Sequence, residues 1–290
     1  MLTKADRYLA SDIENIIENG YKDINPRPRY ADGTPAHTIS VNHVMRKYDL
    51  SKGEFPICTL RPQAWKTGIR EIFTIYQHPT NVISEMREMG VTWWDPWDIG
   101  DGTIGQRYGA TVKRYDLINN LIEDIKKDPY GRRKVVSLWQ DTDLKETPGL
   151  APCCFLTIWN VRGEYLDMCM VQRSGDMLTA SGAGGINEIQ YAALQMMIAM
   201  VTGYEPGVFT HFVANEQIYD RHMDGAKEML ERYWEKLKEE RPLDLRDEYE
   251  LPSLVIRGKK GCRFEDFTID DFVMFDYNPT KPQLKFELGI

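Results

Sequence analysis

The stretch from Leu150 to Asn160, LAPCCFLTIWN, sets two of the chain's five cysteines side by side, directly after Pro152 and ahead of an apolar run. An ionised thiol is a strong nucleophile, so a cysteine presented at a bend is a candidate for covalent catalysis. Pro152 fixes φ and removes a backbone donor, which suits a bend that offers Cys153 at the entrance of a strand. Two cysteines buried as small apolar residues would give the same stretch. Further along, QRSGD brings Arg173 and Ser174 together at the end of a strand-like run. A guanidinium with parallel donors and a neighbouring hydroxyl suit a phosphate. Arg132 and Arg133 form a second pair after Gly131. Either pair alone is more often a solvated surface feature.

Composition excludes several classes of chemistry. The 290 residues are 42% apolar and 28% charged, which is ordinary for a globular chain able to bury a core. Net charge is −8, so the field of the whole molecule does not favour nucleic acid or an anionic membrane, and any phosphate must meet a local group of arginines. No apolar run approaches the roughly 18 residues of a membrane span. The opening segment, TKADRYLASDIENIIENG, is amphipathic and acidic rather than a secretory signal, so a cytoplasmic protein is expected. Cysteines 58, 153, 154, 169 and 262 show no CxxC spacing, and histidines 37, 43, 78, 211 and 222 form no ligand pair. Neither a disulfide framework nor a metal site is indicated.

Periodicity supplies the elements that must position these groups. A helix is predicted over about 4–19, then a Pro- and Gly-rich loop, NPRPRYADGTPAH, leads into the strand-like TISVNHVMRKYDL. FPICTL is an apolar run of strand length, and WKTGIREIFTIYQ has helical spacing. YDLINNLIEDIKKDP is a helix that should stop at Asp128-Pro129. RRKVVSLWQ and FLTIWNVRGEYLDMCMVQRS alternate as strands joined around Arg162-Gly163. INEIQYAALQMMIAMVTG is apolar on nearly every side, hence a helix buried all round, whereas MDGAKEMLERYWEKLKEE is amphipathic and faces solvent. Short strands close the chain. No repeat or linker interrupts it, so one α+β domain over residues 1–290 is expected.

The order of these pieces is more specific than any one of them: thiol, arginine-serine, glycine-rich turn, buried helix with an early asparagine, then QIYDRHMDG. With FPICTL, GIREIFTIYQHPTNV, VTWWDPWD, RYG, DPYGRR, LAPC, NEIQYA and FEDFTI, the chain resembles the thymidylate synthase family, which includes the pyrimidine nucleotide hydroxymethylases, over nearly its whole length. The resemblance implies a large mixed sheet, a long buried helix and surface helices. It also implies methylenetetrahydrofolate as co-substrate, a pyrimidine nucleoside monophosphate as substrate, and a homodimer that shares arginines across its interface.

Carried over by motif, Cys153 is the nucleophile, with Cys154 where the synthases usually have histidine. Arg173 and Ser174 hold the phosphate, with Arg132 and Arg133 reaching over from the other subunit. One arginine of the early loop, Arg27 or Arg29, joins them, and Arg29 is the residue taken here. Glu71 acts on the ring through water, and Tyr108 is associated with proton removal at C5. Asn187 reads the base, Tyr219 binds the sugar hydroxyl, and Gln217 stands beside it in place of a histidine. Trp94, Trp97, Leu150 and Asp176 line the folate site. A thiolate added at C6 makes C5 nucleophilic, and nearby guanidinium groups would favour that thiolate.

Several positions depart from the family pattern. The segment Met177 to Ile186, MLTASGAGGI, is longer than usual, Gln217 and Cys154 replace histidines, and the tail reads KFELGI. Amide and thiol groups hydrogen-bond differently from imidazole. These changes favour a site that admits water at the last step, hence a hydroxymethylase acting on dUMP, with dCMP left open. A divergent synthase making dTMP by hydride transfer is the alternative, and a non-catalytic or RNA-binding homologue is a third reading.

Overall fold

A computed structural model describes residues 1–240 and 251–290. Helix α1 (Lys4–Asn19) starts where the periodicity places it, because Thr3 and Asp6 cap each other. The Thr3 hydroxyl accepts the Asp6 N–H at 3.0 Å, and the Asp6 carboxylate accepts the Thr3 N–H at 2.9 Å. Asp6 also accepts the Thr59 N–H and hydroxyl at 2.7 and 2.6 Å, tying this helix end to the 55–60 segment. That segment, FPICTL, is not a strand. Its backbone is satisfied elsewhere, with Cys58 N–H donating to the Gly184 carbonyl at 3.0 Å.

The large sheet holds β1 (Tyr21–Lys22), β2 (Thr38–Asp49), β3 (Val135–Ser137), β4 (Cys154–Arg162), β5 (Tyr165–Gln172), β6 (Gly175–Asp176) and β7 (Glu205–Tyr219), in the order β1-β2-β7-β5-β4-β3, with β6 also on β7. β7 runs parallel to β5 and β6 and antiparallel to β2, so the sheet is mixed. The β4–β5 hairpin turns at Gly163, whose φ of 61° suits a residue without Cβ. Register separates two faces. Arg46, His211, Met170, Thr157 and Val136 lie in one cross-strand row, all buried. The next row, Met45, Phe212, Val171, Leu156 and Ser137, points to the opposite face and is only partly covered.

The buried face carries α7 (Ile186–Thr202), which packs against α2 (Trp65–Ile72) and ends at Gly203 with φ 84°. α7 is buried on nearly every side as its composition predicts, yet Glu188, Gln190 and Gln195 are also inside. Short helices α3 (Ile83–Glu88) and α4 (Gly109–Arg114) precede α5 (Leu117–Lys127), which stops at Asp128 ahead of Pro129. α6 (Asp141–Glu146) leads to the cysteine pair, and α8 (Met223–Glu239) lies on the surface. β8 (Ser253–Ile256) and β9 (Phe272–Phe275) form a separate antiparallel pair. Among the described residues no helix is long and apolar enough to cross a membrane.

Candidate active site

The cysteine pair sits where β4 leaves its turn. Cys154 pairs with Gln172 of β5, and the register then slips by a residue before Leu156, a bulge of the kind that re-aims side chains. The two thiols consequently diverge. Cys154 is buried, its Sγ 3.3 Å from Gln172 Oε1, and burial pushes its pKa far up. Cys153 is half-buried, and its Sγ lies 3.6 Å from Arg173 Nη2.

Arg173 is fixed by its own bonds. Its Nε donates to the Pro152 carbonyl at 3.0 Å and its Nη2 to the Ala151 carbonyl at 2.7 Å, so the guanidinium braces the loop that carries the thiol. The expectation of several arginines around the sulfur is not met within this chain. Burial pushes the Cys153 thiol up, and Arg173 is the cation that works against it. The Cys153 N–H donates to the Tyr108 hydroxyl at 3.3 Å, which brings the phenol oxygen beside the nucleophile. Tyr108 has φ 47°, a strained backbone for a bulky residue, and its ring meets Trp94 edge-on at 4.8 Å.

On the far wall, Glu71 of α2 accepts from the Trp94 indole N–H and from Gln190 Nε2 of α7. Burial raises its carboxyl to about 7, against those bonds, so it can hold or release a proton near neutrality. Asn187, one turn earlier on α7, donates from Nδ2 to Gln190 Oε1 at 3.1 Å and accepts from Gln172 Nε2 at 3.2 Å. Burial also raises Asp176, against the nearby His222 imidazole. Tyr219 at the end of β7 is raised by burial to about 12 and therefore keeps its hydroxyl proton.

These groups enclose one cavity of about 410 Å³. Cys153, Glu71, Tyr108, Asn187, Arg173, Ser174, Gln217, Tyr219, Trp94, Trp97, Leu150 and Asp176 all line it. Three expected residues do not. The wall takes Arg27 in place of Arg29, whose Nη1 turns to the Gly33 carbonyl at 3.2 Å. The Arg29 backbone is paired with Ile290 and its guanidinium is held at Gly33, which leaves Arg27 as the arginine of this loop in the cavity wall. Arg132 and Arg133 are exposed beyond α5 and do not reach this chain's cavity. Sequence reasoning gave no role to Gln172 or Gln190. Their signal is polarity inside otherwise apolar elements, Gln172 closing β5 and Gln190 three residues after Asn187 on α7.

The tail also takes part. Leu288 and Gly289 line the cavity, and the Ile290 and Arg29 backbones exchange hydrogen bonds of 2.9 and 2.7 Å. The 177–186 segment is packed rather than open, with Met177, Leu178, Ser181 and Ala183 buried.

A half-buried thiol, an arginine-serine pair, a carboxyl raised toward neutrality and a tryptophan wall share one cleft, a set of groups suited to a transferase that acts on nucleotides. The family model for thymidylate synthase matches residues 7–290, and the chain belongs to that family. It is 45% identical to the thymidylate synthase of Lactococcus lactis subsp. cremoris and 44% identical to that of Streptococcus suis, each over 100% of both chains. Its fold is similar to the thermostable thymidylate synthase A from Bacillus subtilis, with TM-score 0.84, 33% identity and 99% of each chain covered.

These relatives overturn the expected hydroxymethylase. Proteins similar over their full length are named thymidylate synthase, so the departures at Cys154, Gln217, the 177–186 segment and the tail do not mark a water-adding branch. The geometry is consistent with this: the buried Cys154 thiol in the cavity wall is bonded to Gln172, the longer segment is packed, and the tail closes on the cavity.

Proposed function

We propose that this protein makes dTMP, transferring a one-carbon unit to C5 of dUMP in a reaction that ends in hydride transfer. The observation that carries the reading is the single cleft that joins Cys153 and Arg173 to Glu71, Tyr108 and Asn187, in a chain similar end to end to thymidylate synthases. Methylenetetrahydrofolate is the co-substrate, and it supplies both the carbon and the hydride. The donor set fits it, since Trp94, Trp97 and Leu150 offer an apolar wall and half-buried Asp176 a polar contact for a ring N–H.

The chain's own residues do the rest. Arg173, Ser174 and Arg27 hold the nucleotide phosphate at the mouth, while Tyr219 and Gln217 meet the sugar. The Cys153 thiolate adds to C6, and the ring's electron pair moves to C5 and O4, making C5 a carbon nucleophile. Asn187 and Glu71, the latter through water, stabilise the charge that develops on the ring edge. Once C5 carries the new carbon, a water held by the Tyr108 hydroxyl, in reach of the Cys153 backbone, takes the C5 proton. The bond from the new carbon to the folate nitrogen breaks as that proton passes to the departing amine. Burial keeps the phenol itself protonated, so it orients the water. Cys153 leaves last, as C5–C6 becomes a double bond again.

Two further readings belong here. Residues 1–290 act as one domain built around the large sheet. The active form is a homodimer in which the partly covered sheet face around Met45, Phe212 and Val171 meets its copy, and Arg132 and Arg133 complete the partner's phosphate site.

Incubation with dUMP and methylenetetrahydrofolate should yield dTMP by mass, with dihydrofolate formed in equal amount. A product heavier by one oxygen, or none, would overturn the reading. Cys153→Ser should lose turnover while retaining dUMP binding, which separates an enzyme from a nucleotide binder.

A further inference from the structure

Behind the cavity lies a polar chain that no step above uses. It starts at Arg46 of β2, which is completely buried and bonded to three carboxylates. Its Nε reaches Asp12 at 2.7 Å, its Nη1 reaches Glu188 at 3.2 Å, and its Nη2 bonds Glu216. Glu188, on α7 beside Asn187, is also completely buried. Its Oε2 accepts from the Tyr48 hydroxyl and the Gly184 N–H, both at 2.7 Å, and its Oε1 meets His211 Nδ1 at 2.9 Å. His211, opposite Arg46 in the sheet, points its other nitrogen, Nε2, at Gln172 Oε1, also at 2.9 Å.

Donor arithmetic fixes the direction of this chain. Gln172 Nε2 has two hydrogens, and both have acceptors, the Ser174 carbonyl at 3.0 Å and Asn187 Oδ1 at 3.2 Å. Its Oε1 must therefore be the atom facing His211, and His211 Nε2 must carry a proton. Burial favours the neutral ring, so Nδ1 is an acceptor, served at 3.4 Å by the same Arg46 Nη1 that donates to Glu188 Oε1. Were Nε2 bare, its lone pair would face the Gln172 oxygen, favouring a turned amide that presents oxygen to Asn187 and leaving only the Ser174 carbonyl and the Cys154 thiol to hold Gln172 as it stands. Asn187 would then have to turn as well, exchanging acceptor for donor toward the cavity. Asn187 as it stands shows an acceptor and a donor, matching N3–H and O4 of uracil; turned over, it matches N3 and the amino group of cytosine.

We propose that His211, clamped between Glu188 and Gln172, is a positioning residue that sets base specificity by holding the Gln172 and Asn187 amides in the uracil-reading orientation. Arg46 and Tyr48 serve this by holding Glu188 in place. A buried polar group with every partner assigned is costly to reorient, so the choice is made in the fold rather than on binding. The inference rests on the dUMP reading above and deepens it.

The test compares dissociation constants for dUMP and dCMP in the wild type, His211→Phe and Gln172→Glu. Phe keeps the ring volume beside Phe209 but donates nothing to Gln172. Glu still accepts from His211 but presents only an acceptor to Asn187. Each variant is expected to lower the dUMP-over-dCMP preference by about tenfold or more, since a site built on hydrogen bonds discriminates only while its donors stay ordered. A purely structural role would weaken both nucleotides alike and leave their ratio unchanged, which overturns the proposal, as does an unchanged ratio with unchanged affinities. If His211→Phe does not fold, His211→Met, which likewise donates nothing to Gln172, decides in its place. Wild-type protein that does not prefer dUMP refutes the functional reading itself, an outcome distinct from a wild-type preference that survives both substitutions.

Discussion

Cys153 has a chemical difficulty that its neighbours only partly relieve. Burial holds the thiol protonated, and Arg173, 3.6 Å away, is the cation that favours the thiolate. Arg173→Gln should therefore slow alkylation of Cys153 at pH 7 by about tenfold, read by peptide mass mapping after timed iodoacetamide exposure. Glu71 gives a second signature. Its carboxyl, at 4.5 when unperturbed, is raised to about 7 by burial, so the folded state keeps a proton over a range where the unfolded chain has lost it. Below the lower value both states are protonated and nothing is gained; between the two values stability falls as pH rises, and above the higher it levels off. The drop is up to about 3 kcal/mol, and Glu71→Gln should abolish that part of the pH dependence in denaturant titrations at pH 5 and 8. Most cavity residues were legible in the sequence because motifs of fixed order carry them. Arg27 and Arg29 were not distinguishable, since Pro28 separates two equally polar neighbours and only the path of the folded loop chooses between them.

At the level of elements, helices with one apolar stripe were legible and the central strand was not. β7, EPGVFTHFVANEQIY, hides its alternation because His211 and Glu216 point inward, where an apolar residue is expected. They are tolerated there because Arg46 and Glu188 from other elements satisfy them, a pairing that no local pattern reveals. FPICTL misled in the opposite sense: its apolarity reports burial, not strand pairing. Two substitutions probe how these elements are held. Arg46→Met leaves three carboxylates without their cation and should cost about 3–5 kcal/mol in chemical denaturation. Gly184 sits at φ 66°, and a Cβ there would lie 2.2 Å from the Cys58 backbone nitrogen. Gly184→Ala should thus separate the start of α7 from the 55–60 segment, with a loss of about 3 kcal/mol or failure to accumulate folded protein.

The molecule as a whole is lopsided: α7 covers one face of the large sheet, while the other leaves Met45 and Val135 at least half exposed in the single chain. With the proposed dimer, Phe212→Glu places a charge in the middle of that face and should yield a monomer by sedimentation, inactive because Arg132 and Arg133 are no longer supplied to a neighbouring cleft. Cys169 lies on this same surface, level with Thr210 and Ile158, whereas Cys58 and Cys154 are sealed inside. The placement makes the protein its own gauge of association. A maleimide dye should label Cys169 readily after dilution or in the Phe212→Glu variant and slowly in concentrated native samples, while added dUMP shields Cys153 alone. Two sulfurs thus report two events, encounter with a sister chain and entry of the nucleotide, in one labelling experiment.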